Sequence, residues 1–261
     1  MLKQPLVLKV GGALLESKDA QAELFNVIAK IMAQGIAVVL VHGGGCLVEQ
    51  WLKQAGMASQ KINGLRVTPV DQIDLIVGAL AGAANKKLVA QAKANKINAV
   101  GLSLADGDMV TANILDPKLG LVGECQVQEN TLLTMLMAKN YLPIISSIAN
   151  DDGGNLLNVN ADLGAQVIAQ LLGAKLVLLS DVPGVLDGDK QLISQLSRAY
   201  ADQLVAGNVI VGGMMVKVDA AFDTAQQLND SIVIASWKEP AQLLQLIDGN
   251  ACGTTIKPNY C

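Results

Sequence analysis

LVLKVGGALL at residues 6–15 and VLVHGGGC at residues 39–46 are the most informative segments of the chain. In each, a short run of Val and Leu leads into consecutive glycines, and a segment with helical periodicity follows. Aliphatic runs without polar alternation are typical of strands buried on both faces. Two strands of this kind, each followed by a glycine turn and a helix, predict a parallel sheet covered by helices.

The rest of the chain continues this alternation of strands and helices. Strands are predicted at 5–10, 36–41, 98–103, 142–147, 175–180 and 231–236, and helices at 19–34, 46–56, 130–140, 161–172, 195–206 and 214–228. The predicted fold class is therefore α/β, a three-layer sandwich around a central, mostly parallel sheet. Gly173 follows a predicted helix as a C-terminal cap. It marks the predicted boundary between an N-terminal lobe (1–173) and a C-terminal lobe (174–261).

Three segments depart from the alternation. Asn63-Gly64 lies between extended residues in KINGLRV (61–67), which predicts a tight hairpin. Several short Val and Leu runs with turn residues predict a second hairpin region at 107–128. Residues 70–91 are predicted to form one long helix with small residues on one face. That face favours close packing against another helix, either within the chain or in a second subunit.

Composition excludes several functional classes. The chain has 261 residues, a net charge of −4 and no cluster of basic residues, which argues against nucleic-acid binding. No apolar run approaches the roughly 20 residues that span a bilayer, and Lys9 interrupts the N-terminal apolar stretch. We therefore expect a soluble, cytosolic protein. Four cysteines without a C-x-x-C pair, and a single histidine, predict free thiols and no zinc site.

The glycine clusters are candidate anion-binding loops. Gly11-Gly12 and Gly43–Gly45 follow strands, where α/β proteins collect ligands, and backbone N–H groups at a helix start favour anions. Either cluster alone is more typical of an ordinary tight turn than of a binding loop. The chain lacks the P-loop motif and a complete G-x-G-x-x-G motif. His42-Gly43-Gly44-Gly45 is also found in esterases, but an esterase requires the G-x-S-x-G elbow, which is missing.

Taken in order, these segments resemble the amino-acid kinase family. The resemblance also rests on INGLRVT (62–68), GALAGAANKKL (78–88), NVNAD (158–162), LLSDVPGVLD (178–187) and VGGMMVKVDAA (211–221). It runs from the first strand to near the C-terminus. Within the family, GLRVT and NVNAD are typical of members that phosphorylate N-acetyl-L-glutamate rather than aspartate, carbamate or uridylate.

The resemblance implies transfer of the γ-phosphoryl group of MgATP to the side-chain carboxylate of N-acetyl-L-glutamate. The products would be N-acetyl-L-glutamyl 5-phosphate and ADP, in arginine biosynthesis. One additional methylene in a substrate changes binding by only about 1–3 kcal/mol. A kinase for a homologous substrate such as acetylaminoadipate therefore stays open as an alternative. So does a non-catalytic, nucleotide-binding regulatory protein.

The resemblance also implies roles for individual residues. Lys9 and Lys217 would be catalytic cations, and Asp162 would hold both in place; outside the family, each is an ordinary strand-end or helix-start charge. The substrate-binding residues would be Gly44, Gly45, Arg66 and Asn158. Arg66 would pair with the acceptor's α-carboxylate, for which a guanidinium is well suited.

The ATP-binding residues implied by the resemblance lie in three segments. They are Gly11, Gly12, Asp181, Val182, Pro183, Gly184, Val185, Leu186, Val209, Ile210 and Val211. Mg²⁺ would arrive on the phosphates of ATP, and no protein metal ligand is predicted. The N-terminal lobe would bind the acceptor and form the dimer, and the C-terminal lobe would bind ATP.

The position of the first strand bears on how the chain assembles. Arginine-inhibited relatives have an additional N-terminal helix that links dimers into hexamers, and here the first predicted strand begins near residue 5. We therefore expect an arginine-insensitive homodimer built around the 70–91 helix.

Cys46 and Val216 stand where proline is common in the family. Neither change removes a predicted catalytic group, and Cys46 could confer sensitivity to thiol reagents.

Overall fold

The computed structural model describes residues 4–258. Its strands are β1 Leu6–Val10, β2 Val38–His42, β3 Lys61–Ile62, β4 Leu65–Arg66, β5 Ala99–Ser103, β6 Val110–Ile114, β7 Val122–Val127, β8 Leu142–Ser146, β9 Ile148–Asn150, β10 Leu156–Val159, β11 Lys175–Ser180, β12 Gln195–Leu196, β13 Ile232–Ser236 and β14 Thr254–Ile256. The α-helices are α1 Gly12–Leu15, α2 Lys18–Ala33, α3 Gly45–Gln54, α4 Ile73–Val77, α5 Asn85–Ala94, α6 Thr131–Ala138, α7 Ala161–Leu172, α8 Arg198–Ala206, α9 Gly212–Leu228 and α10 Gln242–Ile247. Short 3₁₀ turns lie at Val70–Gln72 and Pro117–Leu119.

The central sheet has the strand order β12-β14-β13-β11-β1-β2-β8-β5. All neighbouring pairs are parallel except β13 and β14, which run antiparallel. Because β1 lies in the middle of the order, the loops after its neighbours converge beside the loop after β1. The predicted α/β class with a mostly parallel sheet is confirmed.

Two apolar cores cover the two faces of this sheet. Along β1, Val7 belongs to one core, while Leu6 and Leu8 belong to the other. This alternation follows from the period of two residues in a strand. Helices α7, α8 and α9 contribute to the first core, and helices α2, α5 and α10 to the second. The result is the predicted three-layer sandwich. None of the helices within residues 4–258 is long and apolar enough to cross a membrane.

Smaller sheets extend the fold beyond the ends of the central strands. The predicted hairpin forms as β3 and β4, with Asn63 and Gly64 at positive φ. The second predicted hairpin forms as β6 and β7, in a sheet of order β6-β7-β10-β9. Strand β10 delivers Asn158 and leads directly into α7. Gly173 adopts the left-handed conformation after α7, as the sequence predicts.

The predicted 70–91 helix differs from a single α-helix. Residues 70–94 are helical throughout, but Gly78–Ala84 form a π-helical turn between α4 and α5. We call this segment the wide turn. The helix predicted at 195–206 also differs, because it begins at Arg198 after a short strand at Gln195–Leu196. Ser197 provides its N-terminal cap by accepting a hydrogen bond from the Tyr200 N–H.

Three of the four predicted free thiols lie within the described residues. Cys46, Cys125 and Cys252 are free. Burial raises the pKa of Cys125 to about 12 and that of Cys252 to about 11, so both are protonated at neutral pH. Cys261 lies outside the described residues, as do the first three residues of the predicted N-terminal lobe.

Candidate functional site

The parallel register of β1, β2 and β11 brings three loops to one edge of the central sheet. Val10 is aligned with both His42 and Leu179. The residues that follow these three positions are Gly11-Gly12, Gly43–Gly45 and Ser180-Asp181. The structure therefore places the predicted glycine loops side by side, at the strand ends where ligands bind in α/β proteins.

Two cavities open at this edge. The Ser180 cavity has a volume of about 300 Å³ and is lined by Lys9, Gly11, Gly12, Ala13, Asp162, Leu178, Leu179, Ser180, Asp181, Lys217, Ala220, Thr224, Ile234 and Trp237. The Arg66 cavity has a volume of about 240 Å³, and its lining includes Gly43–Gly45, Lys61, Arg66, Ser147, Asn158 and Asn160. Lys9, Gly11, Gly12 and Asp162 line both cavities. A group passing between the cavities would therefore pass these four residues.

An ion pair occupies the boundary of the two cavities. The Nζ atom of Lys9 lies 2.9 Å from Oδ1 of Asp162, and only 16% of the lysine side chain is exposed. Asp162 is the second residue of α7, where the helix dipole favours a carboxylate. Its backbone N–H donates to the side chain of Asn160, the helix cap, at 2.8 Å. The cap, the helix and the carboxylate together fix the position of the Lys9 ammonium group.

Lys217 provides a second cation in the Ser180 cavity. It projects from the first turns of α9, and its Nζ donates to Ser180 Oγ at 3.1 Å and to Asp181 Oδ1 at 3.5 Å. The backbone N–H of Asp181, the Ser180 hydroxyl and Lys217 together lower the pKa of the Asp181 carboxyl. Since half of the Lys217 side chain is exposed, these contacts leave it free to move toward an anionic ligand.

Arg66 is held in the wall of its cavity by three partners. Its Nη2 lies 2.9 Å from Glu49 Oε1 and donates to Gly45 O at 3.3 Å, while Nη1 donates to Ser59. Burial raises the pKa of the Glu49 carboxyl, but hydrogen bonds from Arg66 and Ser59 outweigh it and the net pKa is lowered. The guanidinium has five N–H donors, so some stay available to a ligand.

Asn158 lies near Arg66, as the sequence interpretation requires. Its side chain donates to Thr68 Oγ1 at 3.0 Å, and Thr68 Oγ1 in turn donates to the Arg66 carbonyl at 3.2 Å. These bonds connect β10 to the hairpin. They leave the Asn158 carbonyl oxygen and one of its N–H groups available within the Arg66 cavity.

The Gly43–Gly45 loop completes the Arg66 cavity. Gly44 is the N-terminal cap of α3. A Cβ atom on Gly44 would lie 2.8 Å from Leu80 Cδ2, so the loop packs closely against the wide turn and a larger residue would require Leu80 to shift. Backbone N–H groups at a helix start are suited to binding carboxylate and phosphate oxygens.

The predicted ATP-binding residues divide into two groups. Gly11, Gly12 and Asp181 line the Ser180 cavity, together with the predicted catalytic residues Lys9, Asp162 and Lys217. The lining within residues 4–258 does not include Val182, Pro183, Gly184, Val185, Leu186, Val209, Ile210 or Val211. Val185 and Ile210 are buried in the core, whereas Val209 and Val211 are exposed.

Several lining residues were missed by the sequence interpretation. Trp237 directly follows β13 and Ser147 follows β8, so the rule that ligands collect at strand ends could have identified both. Thr224 lies within a helix and carried no such signal. Asn160 could have been recognised as a helix cap, but not as a residue of the cavity wall.

His42, the only histidine, is not suited to acid–base chemistry. It is fully buried, and burial lowers its pKa from 6.5 to about 4, while a hydrogen bond with Gly43 opposes this shift. The side chain is therefore neutral at physiological pH. Within the described residues, no group of three or more His, Cys, Asp or Glu side chains could hold a metal ion.

The lowered pKa of His42 predicts a pH-dependent stability. His42 binds a proton near pH 6.5 in the unfolded chain and only near pH 4 in the folded chain. Its contribution to the free energy of unfolding is therefore fully present above pH 6.5 and is lost as pH falls toward 4. We expect urea unfolding to give a free energy about 1 kcal/mol lower at pH 5.5 than at pH 7 from this group. His42→Asn should remove that component, and an unchanged pH dependence in the variant would contradict the assignment.

Comparisons with known proteins agree with this geometry. A model of the amino acid kinase family matches residues 4–236. The acetylglutamate kinase of Shewanella loihica is 51% identical over 98% of each chain. That of Mannheimia succiniciproducens is also 51% identical, over 98% of this chain and all of its own. N-acetylglutamate synthase from Neisseria gonorrhoeae, complexed with coenzyme A and N-acetyl-glutamate, superposes with a TM-score of 0.82 at 22% identity, over 99% of this chain and 60% of its own.

The structural likeness to the synthase concerns the fold alone. The family model includes every residue that lines the two cavities except Trp237, which lies one position beyond the match, and the two curated relatives each cover 98% of the chain. On these matches over nearly its whole length, the chain belongs to the amino-acid kinase family.

Proposed function

We propose that the protein transfers the γ-phosphoryl group of MgATP to the side-chain carboxylate of N-acetyl-L-glutamate. The products are N-acetyl-L-glutamyl 5-phosphate and ADP, and the reaction belongs to arginine biosynthesis in the cytoplasm. One observation carries the proposal: two cavities of different character meet at the Lys9–Asp162 ion pair. This is the arrangement required when a small group passes directly from one bound anion to another.

The Arg66 cavity is the proposed acceptor site. Arg66 binds the α-carboxylate through its remaining N–H donors, and Asn158 binds the acetylamino group or the same carboxylate. The N–H groups of Gly44 and Gly45 lie near the reacting end. At about 240 Å³, the cavity is of the size that a small acylated amino acid requires.

The Ser180 cavity is the proposed site of the ATP phosphates and part of the nucleoside. Lys9 and Lys217 both line it, so a triphosphate would meet a cation at each end of the γ-phosphoryl path. Trp237 and the aliphatic side chains of β11 provide apolar surface for the nucleoside. The segments 182–186 and 209–211 remain proposed nucleotide contacts.

The chemistry needs cations more than it needs a base. A carboxylate is ionised at neutral pH and is already a nucleophile, so no proton must be removed. The barrier arises from bringing two anions together and from positioning them in line. Lys9 stabilises the transferred group, Lys217 stabilises the leaving oxygens, and Asp162 holds Lys9. Mg²⁺ arrives with ATP and neutralises part of the phosphate charge.

A hydroxylamine trap tests the proposal directly. Acyl phosphates react with hydroxylamine to give hydroxamates, so the product is identified together with ADP release. We expect hydroxamate with N-acetyl-L-glutamate, and little with glutamate, aspartate or acetylaminoadipate. Comparable turnover of acetylaminoadipate would mean that the acceptor is this homologous substrate. No turnover of any acceptor, with ATP still bound, would favour a regulatory role.

Arg66→Ala tests the acceptor site. Since a hydrogen bond to a charged group contributes about 1.5–3 kcal/mol, we expect the KM for N-acetyl-L-glutamate to rise about 10- to 100-fold. The KM for ATP should stay nearly constant, because Arg66 does not line the Ser180 cavity. Steady-state kinetics with each substrate varied in turn measures the two KM values separately. Lys53→Ala, on the neighbouring helix α3, is the control, and an unchanged acceptor KM in Arg66→Ala would contradict the role.

A homodimer around the wide turn is part of the proposal. Gly82 is partly exposed, and a Cβ atom added there would meet nothing within 4 Å. The small residues around it leave room for a helix of a second copy. We expect light scattering to give twice the mass of one chain, with Gly82→Trp shifting the protein toward monomer. A monomeric wild-type protein would exclude this interface.

A further inference from the structure

A buried polar cluster lies behind the Gly43–Gly45 loop. His42 and Asn85 are both 0% exposed, and neither has a part in the chemistry above. Asn85 is the first residue of α5, directly after the wide turn. Buried polar side chains are retained at a cost unless their hydrogen bonds are made, so the directions of these bonds are informative.

The hydrogen-bond directions in the cluster follow from its fixed partners. The Asn85 amide nitrogen lies 2.8 Å from Ile144 O and 3.1 Å from Leu102 O, and both carbonyls can only accept. The same nitrogen lies 3.1 Å from His42 Nε2. An amide nitrogen carries two hydrogens and accepts none, so the two hydrogens are shared among these three groups and Nε2 can only accept. The proton of the neutral ring is then on Nδ1, which donates to Gly43 O at 2.8 Å.

This bond orients the peptide between Gly43 and Gly44. In a trans peptide, the carbonyl oxygen and the next N–H point in opposite directions. Because His42 holds the Gly43 carbonyl toward the buried side, the Gly44 N–H is turned the other way, toward the cavity that the loop lines. Within residues 4–258 this N–H donates to no backbone or side-chain acceptor.

The wide turn contacts the same peptide. Leu80 packs against Gly44, and Ala84 lies just beyond it, with a distance of 3.6 Å from its Cβ to a Cβ atom built on Gly44. Asn85 follows Ala84 directly. Wide turns inside helices are frequent at functional sites. Here Ala84, at the end of the wide turn, presents an apolar contact to Gly44, and the next residue, Asn85, presents an amide to His42.

We infer that His42 and Asn85 are positioning residues that hold the Gly44 N–H as a donor to the acceptor's reacting carboxylate. The inference rests on the proposed function and adds a residue pair to it. His42 sets the peptide orientation, and Asn85 sets the tautomer and the ring orientation of His42. Neither side chain touches the acceptor.

Two substitutions of His42 separate its two hydrogen bonds. His42→Asn places an amide donor near the Nδ1 position and can keep the bond to Gly43. His42→Gln places an amide oxygen near Nε2 and can keep the bond to Asn85 only. We expect kcat/KM for N-acetyl-L-glutamate to fall about 10- to 100-fold in His42→Gln, as for other small misplacements of catalytic groups. In His42→Asn it should stay within about five-fold of wild type, and the ATP dissociation constant should hold in both.

A control and a wild-type measurement complete the test. Thr254→Val removes a buried hydroxyl that bonds Val185 N and Ile193 O, far from the loop, and should lower stability without changing the acceptor KM. In the wild-type enzyme, hydrogen exchange of a peptide spanning residues 40–48 should slow when N-acetyl-L-glutamate is added. This exchange measurement uses the wild-type enzyme and therefore stays informative if His42→Gln fails to fold.

Two results would overturn the inference while leaving the proposed function intact. One is an active wild-type enzyme in which both His42 variants lose stability but keep kcat/KM for N-acetyl-L-glutamate, which would make the cluster purely structural. The other is unchanged exchange of the 40–48 peptide under saturating acceptor. Absence of turnover in the wild type would instead refute the proposed function itself.

Discussion

Lys217→Ala is expected to lower kcat about 100- to 1000-fold, the range found when one charged or polar donor to a transition state is removed. In the structure the Lys217 ammonium rests against Ser180 and Asp181, and Lys217 lines the Ser180 cavity but not the Arg66 cavity. In the proposed reaction it would meet the oxygen between the β- and γ-phosphorus atoms. Negative charge grows on that oxygen as the bond breaks, so the interaction is stronger in the transition state than in bound ATP.

The acceptor affinity separates this role from a structural one. Lys217 does not line the Arg66 cavity, so binding of N-acetyl-L-glutamate, measured by calorimetry, should change little. Lys93→Ala removes an exposed lysine on α5 and is the matched control for loss of one positive charge. A Lys217→Ala enzyme with near-normal kcat would show that this lysine only neutralises Asp181.

The sequence predicted the central sheet well because its strands are buried on both faces. Runs such as LVLL at 176–179 have no polar residue to pair with water, so only a covered parallel strand suits them. The glycines after β1 and β2 were placed correctly for the same reason, since parallel strands end at one edge. Helix ends with a local chemical signal, such as Gly173 after α7, were also predictable.

The wide turn could not be predicted from the local pattern. Gly78–Ala84 consist almost wholly of Gly and Ala, which show no periodicity that separates a π-turn from an α-helix. Tertiary contacts select the wider turn: Leu80 packs against Gly44, and the Asn85 amide donates to the carbonyls of Leu102 and Ile144. The last elements, α10 and β14, were missed because both are short.

The residues of the site were likewise only partly predictable from the sequence. Lys9, Asp162 and Lys217 could be named from motifs, and the structure places all three in one cavity. The residues that orient Arg66 and His42 could not, because they lie far from these side chains in sequence. Glu49 orients Arg66 across 17 positions of the chain, and Asn85 reaches Ile144 across 59. Motifs identify groups that contact ligands, whereas the groups that orient them emerge only from the fold.

The Lys9–Asp162 pair should give the largest effect of all. Lys9→Met removes the only cation that lines both cavities within the described residues, and it leaves the Asp162 carboxylate facing two anionic substrates without its partner. Loss of stabilisation and new repulsion act together. We therefore expect kcat to fall more than about 1000-fold, beyond the loss of a single donor. Asp162→Asn keeps the shape and the helix cap, and its kcat should fall only about 10- to 100-fold.

A double-mutant cycle distinguishes this account from two independent roles. If Asp162 acts mainly by holding Lys9, then Lys9→Met with Asp162→Asn should be no slower than Lys9→Met alone, because the uncompensated carboxylate is gone. Single-turnover kinetics at saturating MgATP and N-acetyl-L-glutamate measures the chemical step in all four enzymes. Effects that add in free energy would mean that Asp162 contacts the reacting groups or Lys217 on its own account. Non-additivity would place the pair, as one unit, at the point where the phosphoryl group crosses between the cavities.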